Sequence, residues 1–156
     1  MSLERRFLSR SAIEGILPHR RPFMFLEEAE ILLPGVKAIG KLADLSHPDF
    51  AFLKGHFPSF TVVPGAIIME TLAELSGIAV LSGMSRIENK IGVLRRDVMD
   101  YKQMVKSGDV VQLEAEVILF RMNVGRSRVK ATREGRVAAE GEITFVLIDK
   151  NQADQF

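Results

Sequence analysis

A run of sixteen residues, 66–81, most constrains what this chain can fold into. It reads AIIMETLAELSGIAVL and is apolar around nearly the whole circumference of a helix, a pattern typical of a helix enclosed by other structure. Pro64 and Gly65 come directly before it and suit a helix start. We therefore predict a buried helix over residues 64–82, whose first free backbone N–H groups attract negative charge.

Two carboxylates interrupt this apolar run. Glu70 and Glu74 are four residues apart, so both could lie on a polar stripe that simply meets solvent. Alternatively, Glu70 is a functional acid, because an ionisable group among apolar side chains is costly. His56 lies fourteen residues before Glu70, next to Phe57. Taken alone, His56 is a packed structural histidine or a catalytic base.

The remainder of the chain is rich in strand-forming residues. We predict a short helix over residues 11–17 with Ser11 as its cap. A long connection is expected over residues 44–63. The predicted strands cover residues 23–33, 36–43, 90–99, 109–122, 124–134 and 137–149.

This order of elements favours an α+β fold in which an antiparallel sheet covers one helix. A single domain, residues 1–156, accounts for the whole chain. Within it, we expect residues 1–15 to be an N-terminal extension that could be poorly ordered, and residues 150–156 to be a tail.

Composition excludes several classes of function. The chain has 21 Lys and Arg against 20 Asp and Glu, so its net charge gives no reason to expect nucleic acid as a partner. It has no cysteine, which excludes disulfides and thiol nucleophiles and suits a reducing cytoplasm. No segment has the roughly 20 apolar residues that a membrane span needs. The start, MSLERRFLSR, lacks an apolar signal core, so we expect a cytoplasmic protein.

Three motifs together resemble the β-hydroxyacyl-acyl carrier protein dehydratases of the hot-dog superfamily. They are Leu17-Pro18-His19-Arg20, Gly55-His56-Phe57-Pro58, and Pro64-Gly65 through Glu70, and the likeness covers about residues 16–148. The resemblance implies a curved antiparallel sheet wrapped around one long central helix. It further implies an acyl carrier protein as partner, no cofactor, and dimers, or trimers of dimers, in which the histidine and the acid of one site come from different subunits.

The chemistry of dehydration suggests a role for each motif residue. Removing water from a β-hydroxyacyl thioester needs a base for the α-proton, an acid for the hydroxyl and a donor for the thioester oxygen. We assign these roles to His56, Glu70 and the Gly65 N–H. Pro64 and Phe57 are the neighbouring residues expected to contact substrate. The sequence therefore predicts a lyase of fatty acid or lipid synthesis that forms the trans-2-enoyl thioester.

Two other functions remain open. A hot-dog thioesterase would use the same helix terminus to polarise the carbonyl, with water as the nucleophile. A non-catalytic acyl-carrier-binding protein is the second alternative, since Ser59 and Thr61 stand where family members commonly carry glycine and proline, and Glu74 stands in place of a glutamine.

A metal site is not expected. The group Asp44, His47 and Asp49 resembles one on paper, but such residues in a proline-containing loop more often cap turns. We interpret His19 as a structural residue that orients the entry segment, because Pro18 and Pro22 fix the chain around it. The aromatic residues of the long connection are expected in the core or along an acyl tunnel: Phe50, Phe52, Phe57 and Phe60.

Two sets of cations could receive an acidic carrier protein. The first set borders a segment that is basic in relatives and consists of Arg95, Arg96, Lys102 and Lys106. The second set alternates along one predicted strand, so that its members share a face, and consists of Arg126, Arg128 and Lys130. A solvated sheet face is the plainer interpretation of the second set.

Overall fold

Seven strands and two α-helices make up the part of the chain that the computed structural model describes, residues 5–155. Two 3₁₀ helices, Pro48–Gly55 and Lys150–Gln155, accompany them. In chain order the elements are β1 (Arg6–Leu8), α1 (Arg10–Glu14), β2 (Leu26–Leu33), β3 (Lys37–Leu42), α2 (Gly65–Leu81), β4 (Lys90–Tyr101), β5 (Val111–Arg121), β6 (Val124–Arg133) and β7 (Arg136–Asp149).

Helix α2 is the predicted buried helix, and its observed bounds are Gly65–Leu81. It packs against strands β2 to β6, and Leu72, Leu75 and Ile78 are fully buried. The buried hydroxyl of Thr71 donates to the carbonyl oxygen of Ile67 at 2.7 Å, so this polar group is satisfied within the helix. Over residues 5–155, no helix is both long and apolar enough to cross a membrane.

The strands form one antiparallel sheet in the order β1-β2-β3-β5-β6-β7-β4. The predicted Pro34-Gly35 turn joins β2 to β3, and Gly35 has φ +76°, a value that favours glycine. The Gly35 N–H donates to the carbonyl oxygen of Ala79 at 3.0 Å, which ties this turn to the end of α2. The α+β hot-dog prediction, a sheet around one long helix, is thus confirmed.

Strand β4 lies at one edge of the sheet and pairs only with β7 among the described strands. It is twelve residues long, and most of its residues are exposed. Val98 and Tyr101 are 56% and 50% exposed. A long edge strand with apolar side chains is a surface on which another strand can pair.

The N-terminal region differs from the prediction. Within the predicted extension, residues 1–15, strand β1 pairs with β2 and helix α1 follows directly. The cap of α1 is Ser9 rather than Ser11, because the Ser9 hydroxyl accepts the Ala12 N–H. Residues 1–4 of that extension, and Phe156 of the predicted tail, lie outside the described residues.

The aromatic residues of the connection are mostly not in the core, contrary to one of the two expectations for them. Phe50 is buried and packs under the Arg21 guanidinium at 4.8 Å. Phe52, Phe57 and Phe60 are each about half exposed, at 52%, 54% and 47%. Most backbone hydrogen bonds of this segment join residues within the segment itself rather than to the sheet. Its side chains are therefore free to face outward.

Candidate active site

Glu70 lies on the side of α2 that the sheet covers least. It is partly buried, as are Met69, Ala73 and Gly77 on the same stripe of the helix. A groove follows this stripe from Glu70 to Leu81, about 16 Å along the helix axis. Its other lining includes side chains of β4 and β7: Lys90, Leu94, Phe145 and Leu147.

His56 is held by the loop that leads into α2. Its Nδ1 lies 3.0 Å from the carbonyl oxygen of Val62, and a carbonyl can only accept, so Nδ1 carries the proton in the neutral ring. Nε2 is then the basic nitrogen. The Phe57 ring stacks on the imidazole with centroids 4.3 Å apart, which restrains the ring plane.

Gly65 is the first residue of α2, and its N–H has no hydrogen-bond acceptor among residues 5–155. The ring of Tyr101, at the end of β4, covers this position, since a Cβ at Gly65 would come within 2.8 Å of Tyr101 Cε1. The free N–H and the helix dipole together favour a polarised oxygen here. A larger residue at this position would require the Tyr101 ring to move.

Glu70 belongs to a cluster of three ionisable side chains. His19 Nε2 lies 3.4 Å from Glu70 Oε1, and Glu74 is one helical turn farther along α2. One ligand atom from each of the three residues lies within 4.8 Å of the others. Contact with the Glu70 carboxylate raises the pKa of His19, against the opposing effect of its burial.

Glu74 is buried at 2% exposure, so the solvent-stripe interpretation is wrong for this residue. Its carboxylate accepts the Phe25 N–H at 3.1 Å and the Leu26 N–H at 2.8 Å, at the start of β2. Burial raises the pKa of Glu74 to about 7, although these two N–H groups favour the ionised form.

His19, interpreted from its flanking prolines as a structural residue, also touches the predicted acid Glu70. The Leu-Pro-His-Arg motif singled out His19 in the sequence. Its distance in sequence from Glu70 gave no indication that the two side chains are in contact. The sequence also gave no indication that Phe25 and Leu26 bind the carboxylate of Glu74. They do so through backbone N–H groups, which almost every residue has.

The cluster of His19, Glu70 and Glu74 is also the set of side chains that could hold a metal ion among the described residues. Both carboxylate oxygens of Glu74 already accept backbone N–H groups, which makes that carboxylate a weaker ligand. The absence of a metal stays a prediction. Asp44 and His47, considered above as ligands, cap turns at Ser46 and Asp49.

His56 and Glu70 are not in direct contact within one chain. No ion pair or hydrogen bond joins their side chains among residues 5–155, and His56 does not line the groove beside Glu70. The structure thus brings Glu70 together with His19 and Glu74, and leaves His56 with Val62 and Phe57.

The two sets of cations differ in their surroundings. Arg126 and Lys130 of the second set lie opposite acids, at 3.9 Å from Glu142 and 3.7 Å from Glu114, as expected of a solvated sheet face. In the first set, Lys102 pairs with Glu140. The other three members, Arg95, Arg96 and Lys106, form no ion pair within the described part of the chain.

Sequence comparison identifies the class of protein as a dehydratase. The ApeI-like family, described as ApeI dehydratase, matches residues 41–141. The chain belongs to this family, and the resemblance stated from its motifs is confirmed. It is an enzyme, a hydro-lyase.

Curated relatives agree with this assignment. The chain is 39% identical over 142 residues to a 3-hydroxyacyl-acyl-carrier-protein dehydratase, FabZ, from Ruminiclostridium cellulolyticum, a match that covers 90% of this chain and 97% of the relative. It is 36% identical over 147 residues to the protein of the same name from Acetivibrio thermocellus, covering 93% and 98%.

Among solved structures, the dehydratase heterocomplex ApeI:P from Xenorhabdus doucetiae is similar to this chain, with a TM-score of 0.75 and 17% identity over 96% of this chain and 97% of that one. A hypothetical thioesterase from Streptococcus pneumoniae, in complex with coenzyme A, has a TM-score of 0.57 at 14% identity over 87% and 91%. At these identities the likeness concerns the fold, which dehydratases and thioesterases share.

Proposed function

We propose that this enzyme dehydrates a β-hydroxyacyl-acyl carrier protein to the trans-2-enoyl thioester in fatty acid or lipid synthesis, without a cofactor or a metal. The observation that carries the proposal is the orientation of His56. Its Nδ1 is engaged by the Val62 carbonyl, so the neutral ring presents Nε2 as a base. The cytoplasm suits the reaction, since a chain without cysteine fits a reducing compartment.

The mechanism assigns one step to each residue. The thioester oxygen accepts the free Gly65 N–H at the start of α2, which stabilises the charge that develops as the α-proton leaves. His56 Nε2 takes that proton. Glu70 gives a proton to the β-hydroxyl as its C–O bond breaks, and water departs. Pro64 and Phe57 flank these groups and contact the substrate.

We infer that the working unit is a dimer with the site shared between subunits. Within one chain, no direct contact joins His56 to Glu70 among the described residues. The exposed edge of β4 offers a surface for a second copy, and its end lies over Gly65. In this arrangement His56 of one subunit serves the Glu70 of its partner. A trimer of such dimers is a further possibility for the full assembly.

The groove along α2 is where we place the acyl chain. Its small residues, Ala73 and Gly77, leave room beside the helix. Its far end has the apolar side chains of Leu81 and Leu147, next to Lys90, whose charge is paired with Asp149. An acyl chain that starts at Glu70 would run from polar to apolar surroundings, which suits a β-hydroxyacyl group.

A pair of assays tests the proposed reaction. Incubation with a β-hydroxyacyl thioester should produce enoyl absorbance, whereas a saturated acyl thioester should remain intact. Free thiol from the saturated substrate would instead support the thioesterase alternative, which the free Gly65 N–H could also serve. Binding of either thioester without turnover would support a carrier-binding protein and contradict the proposal.

For the carrier protein, we propose docking on Arg95, Arg96, Lys102 and Lys106. The Val63 N–H donates to the carbonyl oxygen of Val105 at 2.8 Å, so this segment lies beside the start of α2. Arg95, Arg96 and Lys106 have no acidic partner among residues 5–155. Unneutralised cations beside a site entrance can steer an acidic protein toward it.

We predict that reversing these four charges to glutamate lowers kcat/KM for a carrier-bound substrate about tenfold at low salt, because steering acts on association. Raising salt from about 0.1 M to about 1 M shortens the screening length from about 10 Å to about 3 Å and should remove most of the difference. A short thioester without a carrier serves as internal control. Reversal of Arg126, Arg128 and Lys130 is the matched control variant. Equal salt responses for both substrates would contradict electrostatic docking.

A further inference from the structure

The cluster of His19, Glu70 and Glu74 contains two groups that the mechanism above does not use. Glu70 and Glu74 project from one face of α2, and His19 reaches them from the segment before β2. His19 Nδ1 is buried without a hydrogen-bond partner among the described residues, and Nε2 faces Glu70 at 3.4 Å. The ring therefore directs an N–H at the Glu70 carboxylate.

Backbone amides hold Glu74 in place. Oε2 accepts the Leu26 N–H at 2.8 Å, and the Phe25 N–H lies 3.1 Å from both carboxylate oxygens. Since those amides belong to the start of β2, the carboxyl cannot turn toward solvent. Glu74 is thus a fixed acid that faces Glu70, the group that would donate the proton to the substrate.

The charges of this cluster favour retention of a proton. Two carboxylates within a few ångströms repel each other unless a proton or a cation lies between them. Burial raises the pKa of Glu74 and contact with Glu70 raises that of His19, so both effects act in one direction. Nearby, Arg20 lowers the pKa of His19, and Lys90 in the groove pairs with Asp149 at 2.8 Å.

We propose that His19 and Glu74 are positioning residues that keep a proton on the cluster, so that Glu70 meets the substrate hydroxyl as an acid and recovers its proton from His19. This inference rests on the dehydration proposed above.

Protons balance through one cycle. Glu70 gives its proton to the departing hydroxyl and becomes a carboxylate. The His19 imidazolium then passes its Nε2 proton to Glu70 Oε1, which leaves a neutral ring with its proton on Nδ1. His19 lines the groove along α2, so water in the groove can return a proton to Nε2. His56 releases to solvent the α-proton that it accepted. The enzyme returns to its starting state with no net gain or loss.

Two substitutions test the proposal through the pH dependence of kcat/KM. Glu74→Gln keeps an oxygen for the Leu26 N–H but cannot titrate, and His19→Asn keeps an N–H donor without a titrating ring. Either change removes one group that shares the proton, so the alkaline limb should move about one unit toward lower pH. At pH values above this limb, kcat/KM of each variant should be about tenfold lower than that of the wild type, and near pH 6 the loss should be much smaller. Glu142→Gln, a partly exposed acid on β7, is the matched control.

A second measurement does not depend on turnover. The chain has three histidines, so the His19 imidazole can be followed by NMR titration and identified with His47→Asn and His56→Asn. In Glu70→Gln and in Glu74→Gln, the midpoint of His19 should fall below its wild-type value. The proposal would be overturned if the His19 midpoint did not move. It would also be overturned if both test variants lost kcat/KM equally at every pH. If the wild type forms no enoyl product, the dehydration fails and the titration still decides whether the cluster shares a proton.

Discussion

His56→Ala and Glu70→Gln should each lower kcat/KM for dehydration by about a hundred- to ten-thousandfold, the usual contribution of a general base or acid. The alanine removes the Nε2 lone pair that accepts the α-proton. The glutamine keeps the size of Glu70 but has no acidic proton for the hydroxyl. Initial rates of enoyl formation from a β-hydroxyacyl thioester, with protein concentrations matched, measure both losses.

The same variants should keep the fold. His56 and Glu70 are both partly exposed, so their replacement leaves no large cavity, and thermal unfolding should change little. His47→Ala is a matched control, because His47 caps a turn at Asp49 and lies on the surface. Near wild-type dehydration by a folded His56→Ala or Glu70→Gln protein would refute the assigned roles.

Much of the fold follows from periodicity in the sequence. The apolar run of α2 and the alternating segments of β5 to β7 were predicted near their observed bounds, because burial on one or both faces forces such patterns. Strand β1 was missed, since three residues are too few to show an alternating pattern. The exposed Phe52, Phe57 and Phe60 show that aromatic composition alone does not define a core.

The site was less predictable than the fold. The roles proposed for His56 and Glu70 came from a motif, and those proposed for His19 and Glu74 depend on contacts between distant segments. Glu74 and Glu70 share a helical face, yet Glu74 is buried because the amides of Phe25 and Leu26 receive its carboxylate. Helical spacing indicates which residues share a face, but not what packs against that face.

Mixing the two inactive variants should restore activity to about a quarter of the wild-type value. In a dimer whose sites each combine His56 of one subunit with Glu70 of the other, a mixed pair has one doubly substituted site and one intact site. Random exchange makes about half of the dimers mixed, and half of their sites work, which gives the quarter. Enoyl formation after co-incubation, followed over the time of subunit exchange, measures the recovery.

A matched control separates this result from trivial effects of mixing. Combining His56→Ala with the double variant His56→Ala/Glu70→Gln leaves every site without His56, so no activity should return. Exchange is verified with one partner carrying a mass label. If exchange is complete and His56→Ala with Glu70→Gln still recovers nothing, both residues of a site belong to the same chain. The loop that holds His56 would then have to close over Glu70 within one subunit, and the edge of β4 would lose its role in bringing the two together.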